Sequence, residues 1–236
     1  MSIYDTLANE IAPKPFTDKC IVLDLDQTLL ATQDDMQTFK NLRILSDPKK
    51  LDLRERIYYM TIDDLERPGE GTKYDFWGLL RPHINKFLIF CFSYFSKVII
   101  WSAGNKAYVD VLVQFIFQDL PKPHLVLTRD DIVINNHSDV IKPLEKIFKM
   151  NIGARPNNTF VVDDLDTTFS KNPDNAIHIP EYEPEDGIDL NNLDELLESY
   201  RKPDNCLRLL MLWLLKREVI SAEDVRKLDK SKIFRK

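Results

Sequence analysis

Four short, predominantly apolar runs set the rhythm of the chain: Cys20-Ile-Val-Leu23, Val98-Ile-Ile-Trp101, Thr159-Phe-Val-Val162 and Ala176-Ile-His-Ile179. Continuous rather than alternating hydrophobicity over four or five positions belongs to strands covered on both faces, as in parallel sheets. Between these runs the spacing predicts helices: one opened by Pro82 and running through Phe87, Leu88, Phe90 and Phe95, one from Tyr108 to Phe117, one from Pro143 to Met150, and one from Leu190 to Tyr200. Strands alternating with helices predict an α/β fold, a Rossmann-like parallel sheet with right-handed crossovers and helices on both faces. Ligands of such sheets sit beyond the carboxyl ends of the strands. Here three of those ends carry Asp24 and Asp26, Ser102, and Asp163 with Asp164.

The remaining segments break this rhythm. Residues 31–78 are polar, with one strand-like stretch at Ile57-Tyr-Tyr-Met-Thr-Ile62, and read as an insertion of β structure and long loops rather than a large cap. Leu125-Val-Leu127 and Ile132-Val-Ile134 predict a small hairpin around Arg129-Asp130-Asp131. Residues 1–18 read as a short amphipathic lead-in ended by Pro13 and Pro15. Near the other end, Leu207, Leu210, Met211, Leu214 and Leu215 form a helical apolar stripe, and Ser221-Ala-Glu-Asp224 reads as a further helix start. The predicted organisation is a lead-in (1–18), a principal domain (19–200) containing the insertion (31–78), and a helical extension (201–236). The extension's stripe either packs back on its own domain or docks a partner.

Composition narrows the classes. With 236 residues, 44% hydrophobic and 30% charged, the chain can bury one substantial core. A net charge of −6 argues against direct nucleic-acid binding, which relies on a basic face. Cys20, Cys91 and Cys206 form no CxxC pair, so neither a disulfide framework nor a zinc site is indicated, and the reducing cytoplasm or nucleus fits. The N-terminal residues contain no run of signal-peptide type, so the protein is expected not to be secreted. The apolar stretches at 87–101 and 206–215 fall short of the roughly 20 residues that cross a bilayer, and no membrane partner is expected.

The sharpest chemical signal is Asp24-Leu25-Asp26-Gln27-Thr28. Two carboxylates two residues apart at a strand end can reach one pocket. One can attack phosphorus as a nucleophile, the other pass the proton to the leaving alcohol and recover it from water. The same pair can equally end a strand or bind an ion. A carboxylate attacking a phosphate needs positive charge. Mg²⁺ held by Asp24 and Asp164 would supply part of it. Lys142, just before Pro143, could add an ammonium, and Ser102 with the following helix start offers a hydroxyl and N–H groups to phosphate oxygens. Each of these alone is more often a turn or a solvated group.

Their order and setting resemble the haloacid dehalogenase superfamily, and within it the RNA polymerase II carboxy-terminal-domain phosphatases, the NLI-interacting-factor-like branch. The resemblance lies in Ile21-Val-Leu-Asp-Leu-Asp-Gln-Thr-Leu29, Leu80-Arg-Pro-His-Ile-Asn-Lys-Phe-Leu88, Val98-Ile-Ile-Trp-Ser-Ala-Gly104 with Tyr108 and Asp110, Ile141-Lys-Pro-Leu144, and Val161-Val-Asp-Asp164 with Asn172-Pro173 and Asn175-Ala-Ile177. It covers roughly residues 18–200 apart from the insertion. It implies a HAD-like fold and a Mg²⁺-dependent phosphoserine or phosphothreonine protein phosphatase. Asp24 would be the nucleophile, Asp26 the acid and base, and Lys142 the phosphate clamp. Thr28 and Ser102 would be phosphate-binding or loop-fixing hydroxyls. The metal ligands implied are Asp24, the Asp26 backbone carbonyl and Asp164, with Asp163 sharing the metal or supporting it. Tyr108 and Arg129 are further candidates for contact with substrate. Gln27, Ser102 and Leu165-Asp166 stand where the branch often has Glu, Thr and Ser-Pro. The implied partner is a phosphorylated protein such as the polymerase repeat. A nucleotide or polynucleotide-end phosphatase and a non-catalytic interaction module are the alternatives.

Overall fold

The computed structural model describes residues 14–63, 65 and 69–235. The chain runs β1 (Cys20–Leu23), β2 (Leu30–Gln33), α1 (Met36–Leu42), α2 (Leu51–Arg54), β3 (Ile57–Asp63), β4 (Lys73–Leu80), α3 (Ile84–Tyr94), β5 (Lys97–Trp101) and α4 (Lys106–Ile116). It continues through β6 (Leu125–Leu127), β7 (Val133–Ile134), β8 (Val140–Ile141), α5 (Glu145–Phe148), β9 (Thr159–Asp163), β10 (Ala176–His178), α6 (Leu193–Arg201), α7 (Cys206–Leu214) and α8 (Arg217–Ile220). The predicted lead-in lies mostly outside the described residues.

The central sheet is parallel, in the order β10-β9-β1-β5-β6. All four residues of β1 are buried because the strand has a covered face on each side. Ile21 and Leu23 pack with Phe87 and Leu88 of α3, Val109 and Leu112 of α4, and Leu207, Leu210 and Leu214 of α7. Cys20 and Val22 face the opposite way, toward Leu144, Ile147 and Phe169. This is the doubly covered parallel sheet that the continuous apolar runs imply.

The insertion forms an antiparallel sheet in the order β2-β4-β3, which places Thr32 and Tyr58 on either side of Gly78. No large cap is present among the described residues. The insertion also holds helical turns where long loops were expected. Asp35 starts α1 by accepting from the Gln37 and Thr38 N–H groups.

Three expectations are corrected. Leu125–Leu127 and the 132–134 segment do not form a hairpin. β6 instead extends the parallel sheet along β5, and β7 pairs with β8. Leu127 is buried, and β6 satisfies the β5 edge that a separate hairpin would have left unpaired. The predicted 143–150 helix shrinks to Glu145–Phe148, with Asn151 beyond it in the left-handed region at φ 54°. The Ser221-to-Asp224 segment does not start an α-helix. Asp224 caps a 3₁₀ turn over Val225–Lys227, because Val225 is buried and its N–H donates to Asn157 O at 2.9 Å.

The C-terminal stripe turns inward. Leu207, Leu210, Trp213 and Leu214 are buried in the main core, while Leu212 and Leu215 are exposed. Tyr94 Oη of α3 donates to Leu214 O at 2.7 Å and ties the two helices together. Among the described residues, no helix is long and apolar enough to cross a membrane.

Candidate active site

β1 lies between β9 and β5, so the residues that leave their carboxyl ends are neighbours. Leu23 is level with Val162 on one side and Ile100 on the other. Asp24 therefore stands beside Asp163, its N–H donating to Val162 O at 3.1 Å. Carboxylate oxygens of Asp24, Asp163 and Asp164 lie within 4.8 Å of one another. Lys142 arrives from the end of β8, its backbone N–H fixed on Thr168 O at 2.7 Å. Its ammonium sits 2.5 Å from Asp24 Oδ1 and 2.7 Å from Asp163 Oδ2, and all three side chains are buried.

Burial pushes the Asp24 carboxyl well above the usual carboxylate range, with Lys142 pulling it back and Asp163 pushing it further up. Burial likewise works against the Lys142 ammonium, but Asp24 and Asp163 outweigh it and hold its pKa above the ordinary value. Asp164 is raised by burial, against the hydroxyl of Thr28, which donates to its Oδ1 at 2.7 Å. Three carboxyl groups share one ammonium, so their full ionisation would leave negative charge that Lys142 does not balance. Hard oxygen donors carrying that charge fit a small divalent cation such as Mg²⁺.

The chain turns sharply beyond Asp24. Gln27 takes a left-handed φ of 57°, and its N–H donates to Leu30 O at 2.7 Å. Such a conformation costs a non-glycine residue of order 1–3 kcal/mol and persists where surroundings impose it. Inside this turn Asp26 is half-buried. Its Oδ1 accepts from Tyr108 Oη at 2.5 Å and from Thr32 Oγ1 at 3.1 Å. Burial raises the Asp26 pKa and these two hydroxyls partly offset it. Asp26 also lines two adjoining hollows of about 310 and 360 Å³, one walled by Gln27, Glu183 and Glu185, the other by Asp34, Phe76 and Tyr108.

Ser102 follows β5 and is buried, its Oγ accepting from Gly104 N–H at 3.0 Å. Arg129 lies over the same turn, exposed, with Nε donating to Ala103 O at 3.2 Å. The structure thus gathers Asp24, Asp26, Thr28, Lys142, Asp163 and Asp164, and sets Ser102 beside them at the next strand end. Tyr108 gives its hydroxyl to Asp26, and Arg129 stays with the backbone of the Ser102 turn.

Among the groups without a role in the sequence reading, two stand out. Thr32 is one, visible only as a polar residue in an apolar-to-polar strand. Arg81 is the other, quoted in the motif but unexplained. It is fully buried, donating to Thr28 O at 2.9 Å, Pro180 O at 2.7 Å and Asp204 Oδ2 at 2.9 Å. It thereby clamps the Asp24–Thr28 loop to the C-terminal part of the chain.

Residues 19–207 match the sequence profile of a family described as NLI interacting factor-like phosphatase. Among solved structures, the chain is similar to a variant of the fission yeast RNA polymerase II CTD phosphatase Fcp1 bound to beryllium fluoride. The TM-score is 0.57 at 22% identity, covering 84% of this chain and 52% of that one. A second Fcp1 structure, described as an essential RNA polymerase II CTD phosphatase, gives a TM-score of 0.57 at 20% identity over 96% of this chain and 61% of that one. The chain spans between half and two thirds of the length of these neighbours, and at such identities the likeness shows the fold. No curated protein matches the chain in sequence.

Proposed function

Because the chain belongs to the NLI interacting factor-like phosphatase family, we propose that it hydrolyses phosphoserine or phosphothreonine in a protein through a phosphoenzyme on Asp24, with Mg²⁺ as cofactor. The observation that carries this is the meeting of buried Asp24, Asp163 and Lys142 with half-buried Asp164 where β1 and β9 end.

The Asp24 carboxylate attacks phosphorus, and the bond to the seryl oxygen breaks as Asp26 gives that oxygen its proton. Water then attacks the phosphorus of the mixed anhydride while Asp26 takes back a proton, releasing phosphate and restoring the Asp24 carboxylate. Lys142 offsets charge at the nucleophile and at the transferring group. Thr28 fixes Asp164, and Ser102 with the start of α4 receives phosphate oxygens. Asp24, Asp164 and the Asp26 backbone carbonyl would hold Mg²⁺, with Asp163 alongside. When bound, the ion supplies the positive charge that the carboxylate cluster lacks.

The absence of a large cap among the described residues supports a phosphate presented on an extended chain, since small metabolites are usually buried by surrounding walls. The hollows beside Asp26 offer places for the flanking residues. A polymerase-repeat-like phosphopeptide is the substrate we propose. The reducing nucleus or cytoplasm suits three free cysteines, two of them buried. The test is turnover of a phosphopeptide panel against nucleotides and sugar phosphates, with and without Mg²⁺. Activity should require the metal, favour phosphopeptides and vanish in Asp24→Asn. Normal turnover by that variant removes the mechanism, and higher kcat/KM on nucleotides than on every phosphopeptide removes the substrate class.

A further inference from the structure

Asp26 is held by hydroxyls from two elements, and a hydroxyl from a third backs one of them. Tyr108 of α4 donates to Asp26 Oδ1 at 2.5 Å, and Thr32 of β2 donates to the same oxygen at 3.1 Å. Thr32 Oγ1 lies 2.6 Å from the hydroxyls of both Tyr58, on β3, and Tyr108. Each hydroxyl has one proton to give. With the proton of Tyr108 directed to Asp26 and that of Thr32 shared between Asp26 Oδ1 and Tyr108 Oη, Thr32 accepts from Tyr58. The donors converge on Oδ1, and Oδ2 is the oxygen that neither hydroxyl engages.

The surroundings fix these hydroxyls closely. A Cβ on Gly78 would stand 2.5 Å from Tyr58 Oη and 2.2 Å from Ala31 O, so only glycine lets the Tyr58 hydroxyl reach Thr32. A Cβ on Gly104 would stand 2.8 Å from Tyr108 Cδ1, so the ring packs on the turn that carries Ser102. The Asn105 side chain caps α4 by accepting from Tyr108 N–H at 2.9 Å. The Tyr108 ring meets Phe76 of β4 edge-on at 5.7 Å, and the Tyr58 ring packs on Phe115 of α4 at 5.6 Å.

We propose that Tyr108, Thr32 and Tyr58 are positioning residues for the proton transfer. They commit Asp26 Oδ1 as an acceptor and so make Oδ2 the oxygen that exchanges the proton. The proton passes from Oδ2 to the seryl oxygen as the phosphorus–oxygen bond breaks, and returns from water to Oδ2 as the bond between phosphorus and Asp24 breaks. The inserted sheet thereby takes part in the chemical step, although none of its strands carries the nucleophile. This inference rests on the reading of Asp26 as proton shuttle.

The test compares two leaving groups, a phosphoseryl peptide, whose alkoxide needs a proton, and 4-nitrophenyl phosphate, whose phenolate leaves without one. In Tyr108→Phe, kcat on the peptide should fall roughly 10- to 100-fold, a share of the roughly 10²–10⁴ that acid–base catalysis contributes. The burst of nitrophenolate should keep nearly its wild-type rate. Hydrolysis of the phosphoenzyme, which needs the base, should slow, so that phosphorylated protein is trapped on quenching and seen by mass spectrometry. Thr32→Val should show the same pattern, with Thr32→Ser restoring activity, and the Tyr58→Phe loss should be smaller. In the double variant with Asp26→Asn, Tyr108→Phe should add nothing further.

An equal loss on both substrates without trapped phosphoenzyme, a change in KM alone, or an additive double variant overturns the inference. Should Tyr108→Phe fail to fold, Thr32→Val against Thr32→Ser decides the question in the same way. Asp26→Asn by itself separates the two levels. If it lacks the leaving-group signature, the shuttle reading falls and the inference with it. If it has the signature and Tyr108→Phe does not, only the inference falls.

Discussion

At the scale of single residues the decisive feature is Lys142, an ammonium buried between Asp24 and Asp163. Buried ion pairs contribute little net stability against apolar substitutes, yet removing one partner leaves charge without compensation. Lys142→Met therefore strands the carboxylates and should cost about 3–5 kcal/mol of stability in metal-free protein. Urea denaturation would measure this loss, and saturating Mg²⁺ should recover part of it by neutralising the same oxygens. Turnover of the folded variant should fall by at least about 10²-fold, the scale of losing one electrostatic contact to a transition state. Stability equal to wild type would show that the lysine does not balance these carboxylates.

The scale of elements brings in the inserted sheet. Its three strands are held in register by ordinary antiparallel pairing, and Gly78 of β4 sits opposite Thr32 of β2 on one side and Tyr58 of β3 on the other. Gly78→Ala would place a methyl 2.2 Å from the Ala31 carbonyl, a backbone atom that cannot swing aside. Overpacking of this kind costs typically about 1–3 kcal/mol. The melting temperature should fall, and phosphopeptide turnover per folded molecule should fall too, because the Tyr58 hydroxyl is displaced from Thr32. A drop in melting temperature with unchanged turnover would show that the sheet is a support without influence on Asp26.

At the scale of the whole molecule, the C-terminal segment and the Asp24–Thr28 loop are joined through Arg81. Its guanidinium is fully buried and reaches Thr28 O, Pro180 O and Asp204 together, with the Tyr182 ring 5.3 Å from Cζ. Asp204 stands just before α7, whose Leu207, Leu210 and Leu214 are buried in the principal core. Val219, Val225 and Ile233 beyond it are buried in the same core. Asp204→Ala should lose about 3–5 kcal/mol, the penalty for a buried charge left without its partner. The double change Arg81→Met with Asp204→Leu should lose less, since no unpaired charge remains. Chemical denaturation of the two variants checks this order, and the reverse order would mean that the pair itself carries the stability.

The sequence by itself determined the parallel sheet and most of the candidate chemistry. An apolar run followed by acids is a local pattern, and a parallel sheet brings strand ends together whatever the loops do. Asp24, Asp26, Ser102, Asp163 and Asp164 were legible as candidates for that reason, and Lys142 only as a lysine set before Pro143. Tertiary structure alone decided which edge the Leu125–Leu127 strand would join, since a three-residue apolar strand suits a hairpin or a parallel edge equally until β5 offers open hydrogen-bonding groups. It also decided the partnership of Asp26 with Tyr108, 82 residues away, and of Arg81 with Asp204, 123 residues away. Such pairs follow no period in the chain. The first depends on how α4 meets the inserted sheet, where Tyr108 packs on Gly104 and Tyr58 on Gly78, and the second on how α7 packs into the principal core, neither of which local propensity sets.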